Sequence, residues 1–193
     1  MAERLILVNG LPGSGKTTLA TRLGAALGVP MISKDAIKEA LYAVAPVAQS
    51  RALGAIAMDA AWSLAAEALG TVVLESWWFR PRDLGYAEAA WRRCGEPDLV
   101  EMWCDVPPDV ALARCLARVR SEEMYADHRI AASWDDWTEH AAPLAIGKVI
   151  RVDTSTEVDV AALVRSLVPL MKACTCGSAS VAAGVPSAIT VPS

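Results

Sequence analysis

Short apolar runs alternate with segments of helical periodicity over most of the chain. The runs, each of strand length, are residues 4–9, 29–32, 71–74, 99–104 and 149–152. Apolar side chains recur at helical spacing between and after these runs, most clearly over residues 15–27, 47–69, 80–93 and 158–171. Because strands that alternate with helices form parallel sheets, this order predicts an α/β fold with a five-stranded parallel sheet sandwiched by helices.

Two segments depart from this alternation. Residues 119–140 have weak periodicity and a polar patch, which predicts a small mobile lid followed by a short helix with Trp134 and Trp137. From residue 173 the composition shifts to Ser, Ala, Gly, Val and Pro without charge or periodicity, which predicts a disordered tail over residues 173–193. The predicted organisation is therefore one domain over residues 1–172 followed by that tail.

Composition and charge narrow the class of protein. The chain has 193 residues, enough for one domain whose core needs neither a disulfide nor a metal. Hydrophobic residues make up 54%, but no uncharged apolar stretch reaches the roughly 18 residues of a membrane span. The formal net charge is −4, which argues against extended nucleic-acid binding. Since no signal-peptide pattern precedes the first strand, we expect a cytoplasmic monomer or homodimer with no membrane attachment.

The most specific chemical motif lies between the first strand and the first helix. Residues 10–18 read GLPGSGKTT and satisfy the phosphate-binding pattern G-x-x-x-x-G-K-[ST]. Its glycines allow a tight turn whose backbone N–H groups approach phosphate oxygens, and the helix N-terminus adds its positive end. A glycine-rich turn without ligand is the alternative interpretation. The predicted nucleotide-binding residues of this loop are Gly10, Pro12, Gly13, Ser14, Gly15, Lys16, Thr17 and Thr18.

Three polar residues are candidates for binding phosphate and metal at this site. Lys16 is expected to face solvent in the empty loop and to reach the β- and γ-phosphates of ATP. Thr17 offers its hydroxyl to Mg²⁺, which is usually held by one or two protein oxygens, phosphates and waters. Glu75 follows the apolar run 71–74 and would hold the same Mg²⁺ through water or orient the attacking group. A capping or salt-bridging Glu75 is the alternative.

Asp35 is a candidate catalytic base. It follows the second strand, and the carboxyl ends of parallel strands line the ligand crevice of such sheets. Ser33 or Asp35 could instead cap the helix that begins here. Both roles are compatible, and the position after a strand favours a functional Asp35.

Three consecutive aromatic residues, Trp77, Trp78 and Phe79, follow Glu75. Three adjacent rings in a loop cannot all point inward, so at least one is expected to border the crevice as a stacking wall for an acceptor. Packing beneath the next helix is the alternative for each ring. The predicted acceptor site consists of Asp35, Glu75 and the three aromatic residues.

A pair of arginines follows the fourth strand. Arg114 and Arg118 are four residues apart on the predicted helix and would share one of its faces. Solvated arginines are the alternative, but a pair that emerges beside the crevice favours phosphate contacts.

These features together resemble the small P-loop kinases of the adenylate-kinase-like group. The nearest likeness is to the AAA-type ATP-binding branch that includes zeta toxins, chloramphenicol phosphotransferase, gluconate kinases and the kinase domain of polynucleotide kinase. The resemblance covers about residues 4–170 and rests on the P-loop, residues 33–35 and 73–76, the two arginines and residues 152–154. It implies a P-loop NTPase fold with strand order 2-3-1-4-5.

The resemblance also implies an activity and residue roles. The γ-phosphate of ATP would pass to a hydroxyl, with Asp35 as the base that takes the acceptor proton. Arg114 would stack on adenine, Arg118 would touch the transferring phosphate, and Asp153 with Thr154 would border the adenine. The predicted catalytic residues are Lys16, Asp35 and Arg118.

Three hypotheses for function follow. The favoured one is an ATP- and Mg²⁺-dependent phosphotransferase for a small, partly apolar acceptor such as an antibiotic, a sugar or a nucleoside-like molecule. A nucleotide-dependent ATPase or switch module is the first alternative. A nucleoside-monophosphate kinase is the second, although such enzymes usually place several arginines around the second phosphate, and between residues 33 and 78 the candidate cations are Arg51, Lys34 and Lys38.

Overall fold

Five parallel strands form a sheet of order β2-β3-β1-β4-β5 in the computed structural model, which describes residues 2–45, 50–118 and 128–167. The predicted sheet and its strand order are therefore confirmed. The strands are β1 (Ala2–Asn9), β2 (Met31–Ser33), β3 (Gly70–Glu75), β4 (Asp98–Asp105) and β5 (Lys148–Asp153).

Helices connect the strands and cover both faces of the sheet. They are α1 (Lys16–Leu27), α2 (Lys34–Val44), α3 (Ser50–Glu67), α4 (Arg80–Arg93), α5 (Pro108–Leu116), α6 (His128–His140) and α7 (Val160–Leu167). None of the helices in these ranges is long and apolar enough to cross a membrane. The first part of the predicted lid, residues 119–127, and the predicted tail lie outside the described residues, as do the predicted helical residues 47–49 and 168–171.

The alternation of side chains along β1 explains why both faces of the sheet are covered. Leu5 and Leu7 pack on one face with Trp62 of α3. Ile6 and Val8 point to the other face and pack in the cluster that includes apolar residues of α1 and α7. Because successive residues of a strand face opposite sides, a run that is apolar at every position requires burial on both.

Parallel pairing brings the carboxyl ends of the strands to one edge of the sheet. The phosphate-binding loop follows β1 there, Ser33 ends β2, and Glu75 ends β3. Pairing of Val8 and Ser33 with Glu75 in the β1–β3 and β2–β3 registers places these ends side by side. The polar residues predicted to share a crevice therefore do so because of the direction of the strands.

A buried carboxylate joins this edge to two more distant segments. Glu101 on β4 is fully buried and accepts hydrogen bonds from Asn9 Nδ2, Leu144 N and Ala145 N, each at 2.9 Å. Asn9 Oδ1 accepts in turn from Gly10 N at 2.7 Å and from Trp78 N at 3.0 Å. Two side chains thus tie the start of the P-loop to the loop after β3 and to the segment after α6.

Replacing Glu101 by alanine should lower the free energy of unfolding by about 3 kcal/mol. Three buried N–H donors would lose their acceptor, and an unsatisfied buried donor costs about 1–3 kcal/mol. Urea denaturation followed by circular dichroism measures the change. Glu67→Ala, which removes an exposed carboxylate on α3, is the matched control and should stay within about 0.5 kcal/mol of the parent. Equal stability of the two variants would contradict the structural role of Glu101.

Candidate active site

The P-loop turns sharply between β1 and α1. Gly13 and Gly15 adopt positive φ angles of 82° and 86°, which glycine reaches without strain. A Cβ at Gly13 would collide with the carbonyl oxygen of Ala111 on α5. The loop is therefore pressed against α5, and its backbone can approach a ligand closely. Ser14 is buried, and its Oγ has no hydrogen-bond partner within the described ranges.

Lys16 is buried, in contrast to the prediction that it faces solvent in the empty loop. Its side chain is 8% exposed, and Nζ donates a hydrogen bond to Leu11 O at 2.8 Å, which holds the lysine against its own loop. Burial lowers the pKa of the Lys16 ammonium, and the carboxylates of Glu75 and Asp35 oppose that shift. An ammonium can donate three hydrogen bonds. Lys16 therefore has donors and charge to offer to a phosphate.

Thr17, Glu75 and Ser33 form a row of oxygen atoms beside Lys16. Thr17 Oγ1 donates to Glu75 Oε1 at 3.3 Å, and Ser33 Oγ donates to Glu75 Oε2 at 2.8 Å. Glu75 is buried, and it accepts these two bonds at the end of β3. Hydroxyl and carboxylate oxygens are the ligands that Mg²⁺ takes from proteins, with phosphates and waters supplying the rest. The donor set therefore fits Mg²⁺ next to a phosphate.

Asp35 lies in the first turn of α2, and Ser33 rather than Asp35 is the N-cap. Ser33 Oγ accepts a hydrogen bond from Ala36 N at 3.4 Å. The Asp35 carboxylate is 37% exposed, lies 3.1 Å from Lys34 Nζ and lines a cavity that also contains Lys16 and Thr17. The helix start is capped by Ser33, and the Asp35 carboxylate is at the cavity, where it pairs with Lys34.

Two cavities meet at the P-loop. The first, of about 570 Å³, lies between the P-loop, α2, α3, the start of α4 and α6, and its lining includes Pro12, Asp35, Glu75 and Trp77. The second, of about 610 Å³, lies between the P-loop, α1, α5 and residues 154–160, and its lining includes Thr18. The residues that line both are Gly13, Gly15 and Arg118.

The two arginines take different positions. Arg114 donates to Thr154 O at 2.9 Å and to Ser155 O at 2.7 Å, and so holds a wall of the second cavity. Arg118 lies just beyond the C-cap of α5, which ends at Leu116, and both arginines line the second cavity. From that position Arg118 still reaches the boundary between the two cavities.

Asp153 and Thr154 also differ in position, because only Thr154 lines the second cavity. Thr154 lines the second cavity, and its backbone N–H donates to Asp105 O at 2.9 Å. The Asp153 carboxylate instead accepts bonds from Ser155 N and Ser155 Oγ, which lower its pKa. Asp153 is exposed and is not part of the lining of either cavity.

Of the three consecutive aromatic residues, Trp77 alone lines the first cavity. Its ring packs 5.8 Å from that of Phe79 and 6.3 Å from that of Trp137, centroid to centroid. Trp78 is fully buried in the core against Trp62 of α3, so the expectation that it contacts an acceptor is not supported by its position. The Asn9 bonds to the Trp78 backbone turn this residue toward the core.

Sequence reasoning named Lys34, Lys38 and Arg51 as candidate cations, but it did not predict the far wall of the first cavity. Its charged members are Lys34, Lys38, Arg51, Asp59, Arg82 and Asp83. Asp59 accepts a hydrogen bond from Tyr86 Oη at 2.5 Å, and burial together with this contact raises the pKa of Tyr86. The spacing of Lys34 and Lys38, one helical turn apart, was the available signal, but only the packing of α2 on α3 brings Arg51 to the same wall.

A family model described as an AAA domain matches residues 5–144, well over half of the chain. The chain belongs to this AAA domain family. The matched span contains the P-loop, Asp35, Glu75, Arg114 and Arg118. No curated protein matches the chain at a significant level.

Solved structures, among them two named as kinases, share the fold of this AAA domain. A provisionally named kinase from Chloroflexus aurantiacus J-10-fl is 26% identical, with a TM-score of 0.72 over 86% of this chain and 96% of that one. A gluconokinase from Sinorhizobium meliloti 1021 is 19% identical, with a TM-score of 0.57 over 88% and 94%. The tunicamycin resistance protein of Deinococcus radiodurans is 14% identical, with a TM-score of 0.55 over 88% and 96%. The likeness to small P-loop kinases is therefore confirmed.

The lowered pKa of Lys16 predicts how ATP binding depends on pH. Phosphates favour the charged ammonium, so the pKa should be higher in the complex than in the free protein, and binding should take up a proton. The affinity for ATP should then be highest below the lowered pKa of Lys16 in the free protein and should decrease as the pH rises through that pKa. Titration calorimetry in two buffers of different ionisation enthalpy measures both effects, and Lys148→Ala, an exposed lysine, should leave them unchanged. Constant affinity up to the ordinary lysine pKa of about 10.4 would contradict this account.

Proposed function

We propose that this AAA domain is an ATP-dependent phosphotransferase that transfers the γ-phosphate to a hydroxyl of a small molecule, with Asp35 as the base. The observation that supports this most is the pair of cavities that share the P-loop and Arg118. Their volumes suit two small ligands. The Asp35 carboxylate and Lys16 line the same cavity.

The donor side would use residues of the loop and of the second cavity. Lys16, Thr18 and the loop N–H groups would hold the phosphates, and Arg114 with Thr154 would border the adenosine. Thr17 and Glu75 would supply oxygens to Mg²⁺, Thr17 directly and Glu75 through water. When bound, the ion neutralises charge on the phosphates.

Asp35 would act on the acceptor. Its carboxylate takes the proton of the acceptor hydroxyl as that oxygen forms a bond to the γ-phosphorus. The bond from this phosphorus to the bridging oxygen breaks, and its electron pair leaves with ADP. Lys16 and Arg118 stabilise the charge that spreads over the transferred oxygens. The site needs positioning and positive charge rather than covalent catalysis, and both are properties of these residues.

The acceptor would be a small molecule with an apolar face. Trp77, backed by Trp137, forms an aromatic wall of the first cavity. Such a wall suits the ring face of a sugar, a nucleoside-like compound or an antibiotic. Solved structures with this fold include proteins named as a gluconokinase and as a tunicamycin resistance protein, which agrees with that range.

Lys16→Ala should abolish phosphoryl transfer. The first step is a screen of hydroxylated metabolites and antibiotics for a mass gain of one phosphate, and the variant is then compared on the best acceptor. Because Lys16 is buried, the folding of the variant must be checked by far-UV circular dichroism and thermal melting. The matched control is Lys148→Ala on an exposed strand end. A folded Lys16→Ala protein with full activity would contradict the proposal, and stimulation by short oligonucleotides alone would exclude a small-molecule acceptor.

Asp35→Asn should lower kcat for transfer by roughly 10²-fold or more, because the amide keeps the shape but cannot take the proton. The affinity for ATP should hardly change. The melting temperature should fall little, since Ser33 caps α2. Asp109→Asn, in the first turn of α5, is the matched control for a lost helix-terminal charge.

If Asp35→Asn lowers the melting temperature strongly and leaves the rate per folded molecule intact, Asp35 is only a structural residue. Glu75, the carboxylate of this cavity that lies at a strand end, would then be the candidate base. The substitution Glu75→Gln would then distinguish a base from a metal contact. Loss of the base lowers kcat, whereas loss of a metal contact also raises the Mg²⁺ concentration needed for activity.

A further inference from the structure

The Ser33 hydroxyl connects the end of β3 to the start of α2. Ser33 is the last residue of β2 and is 9% exposed. Its Oγ donates to Glu75 Oε2 at 2.8 Å and accepts from Ala36 N at 3.4 Å. A serine hydroxyl has one proton to donate, and 2.8 Å is a usual length for an O–H···O bond. The one donor of Ser33 is therefore committed to the Glu75 carboxylate, whereas its contact with the α2 backbone is long.

The Glu75 carboxylate is held by one hydroxyl on each of its oxygens. Thr17 Oγ1 donates to Oε1 at 3.3 Å, and Ser33 donates to Oε2. Glu75 is 3% exposed, and Ser33 is its backbone partner in the β2–β3 register, which fixes the position of the serine. Thr17 can donate its proton to Glu75 and at the same time offer an oxygen lone pair to a cation. Glu75 therefore orients Thr17, and Ser33 orients Glu75.

Lys16 is a competing partner for the Glu75 carboxylate. The Lys16 ammonium is buried and interacts electrostatically with Glu75. Without the Ser33 hydroxyl, Glu75 Oε2 would lose its donor, and a buried polar atom without a partner costs free energy. The carboxylate would then turn toward the ammonium, because attraction between opposite charges is strong where water is excluded. Such a pair would draw Glu75 away from Thr17 and Lys16 away from a phosphate.

We propose that Ser33 is a positioning residue for the metal side of the site. By holding Oε2, Ser33 keeps Oε1 of Glu75 directed at Thr17, and Thr17 and Glu75 are the residues that would supply oxygens to Mg²⁺. Ser33 is not part of the lining of the first cavity, so it acts through Glu75 rather than on a ligand. This inference rests on the proposed phosphotransferase function and adds a residue to its metal side.

Loss of the Ser33 hydroxyl should weaken metal binding. The probe is Mn²⁺, and electron paramagnetic resonance of free Mn²⁺ measures its affinity for the complex of the full chain with ADP. In Ser33→Ala this affinity should fall about tenfold or more, because loss of a hydrogen-bond partner of a metal-binding group typically costs roughly 10- to 100-fold. Ser33→Thr keeps a hydroxyl and should restore the affinity. Ser166→Ala, which removes an exposed hydroxyl bonded to Leu163 O on α7, is the matched control and should have no effect.

A glycine variant separates this role from capping of α2. Ser33→Gly also lacks the hydroxyl, but glycine is nearly as favourable as serine at an N-cap, whereas alanine is not. Thermal melting should therefore place Ser33→Gly closer to the parent than Ser33→Ala, while both variants bind Mn²⁺ equally weakly. Mn²⁺ affinity equal to that of the parent in a folded Ser33→Gly protein would overturn the proposal, because the serine would then serve only the helix.

A double-mutant cycle tests whether Ser33 acts through Glu75. In a Glu75→Gln background, Ser33→Ala should change the Mn²⁺ affinity far less than it does in the parent, since the carboxylate that Ser33 positions is absent. The same loss of affinity in both backgrounds would mean that the two residues act independently, and it would overturn the proposal.

The outcomes separate this inference from the proposed function. Mn²⁺ affinity that depends on Ser33 through Glu75, without transfer to any acceptor, supports the positioning role and counts against the phosphotransferase. Where an acceptor is phosphorylated, Ser33→Ala should raise the Mg²⁺ concentration needed for the half-maximal rate and should keep kcat near the parent value at saturating Mg²⁺.

Two results would leave the phosphotransferase intact and overturn the role of Ser33. The first is transfer by Ser33→Ala with an unchanged Mg²⁺ requirement. The second is a kcat that is lowered at every Mg²⁺ concentration while the Mn²⁺ affinity stays unchanged, because Ser33 would then act on the first turn of α2 and on Asp35. Failure of the parent protein to bind Mn²⁺ together with ADP would overturn both the inference and the proposed function.

Discussion

The hydrogen bonds of Asn9 and Glu101 are the constraint on which the site depends. Asn9 is the last residue of β1, and it holds both the first N–H of the P-loop and the backbone of Trp78. Glu101 anchors Asn9 from β4 and binds the N–H groups that follow α6. A buried carboxylate is costly unless its oxygens are satisfied, and here three donors satisfy them. The P-loop, the aromatic segment after β3 and the segment after α6 are therefore joined by one polar network within the core.

This network explains how one edge of the sheet supports two cavities. The P-loop is fixed at its start by Asn9 and packs against α5 at Gly13, so it separates the two cavities. Lys16 is folded back onto the loop and is partly deprived of water, which lowers its pKa and strengthens its attraction to phosphate. Arg118 lies at the meeting point of the cavities. The arrangement concentrates positive charge where a phosphoryl group would pass from one side to the other.

Much of the fold could be predicted from the chain because its pattern is strong and local. The inner stretches of the strands are mostly apolar, the P-loop has a specific spacing, Gly28 follows α1 and Gly70 opens β3. The candidate site was only partly predictable. Positions at strand ends, such as Asp35 and Glu75, follow from the direction of parallel strands. Which of Trp77, Trp78 and Phe79 would line the cavity could not be predicted from the sequence, because it depends on how Asn9 holds the backbone of this segment.

The sequence by itself determined the strands, the helices, the phosphate-binding loop and the carboxylates at the strand ends, because these depend on residue type and on spacing within a few positions. The tertiary structure alone decided that Lys16 is buried, that Ser33 rather than Asp35 caps α2, and that Arg51 joins Lys38 in one wall. Each of these depends on contacts between segments far apart in the chain. Burial and shared cavities are properties of packing, and no local pattern of residues encodes which helix faces will meet.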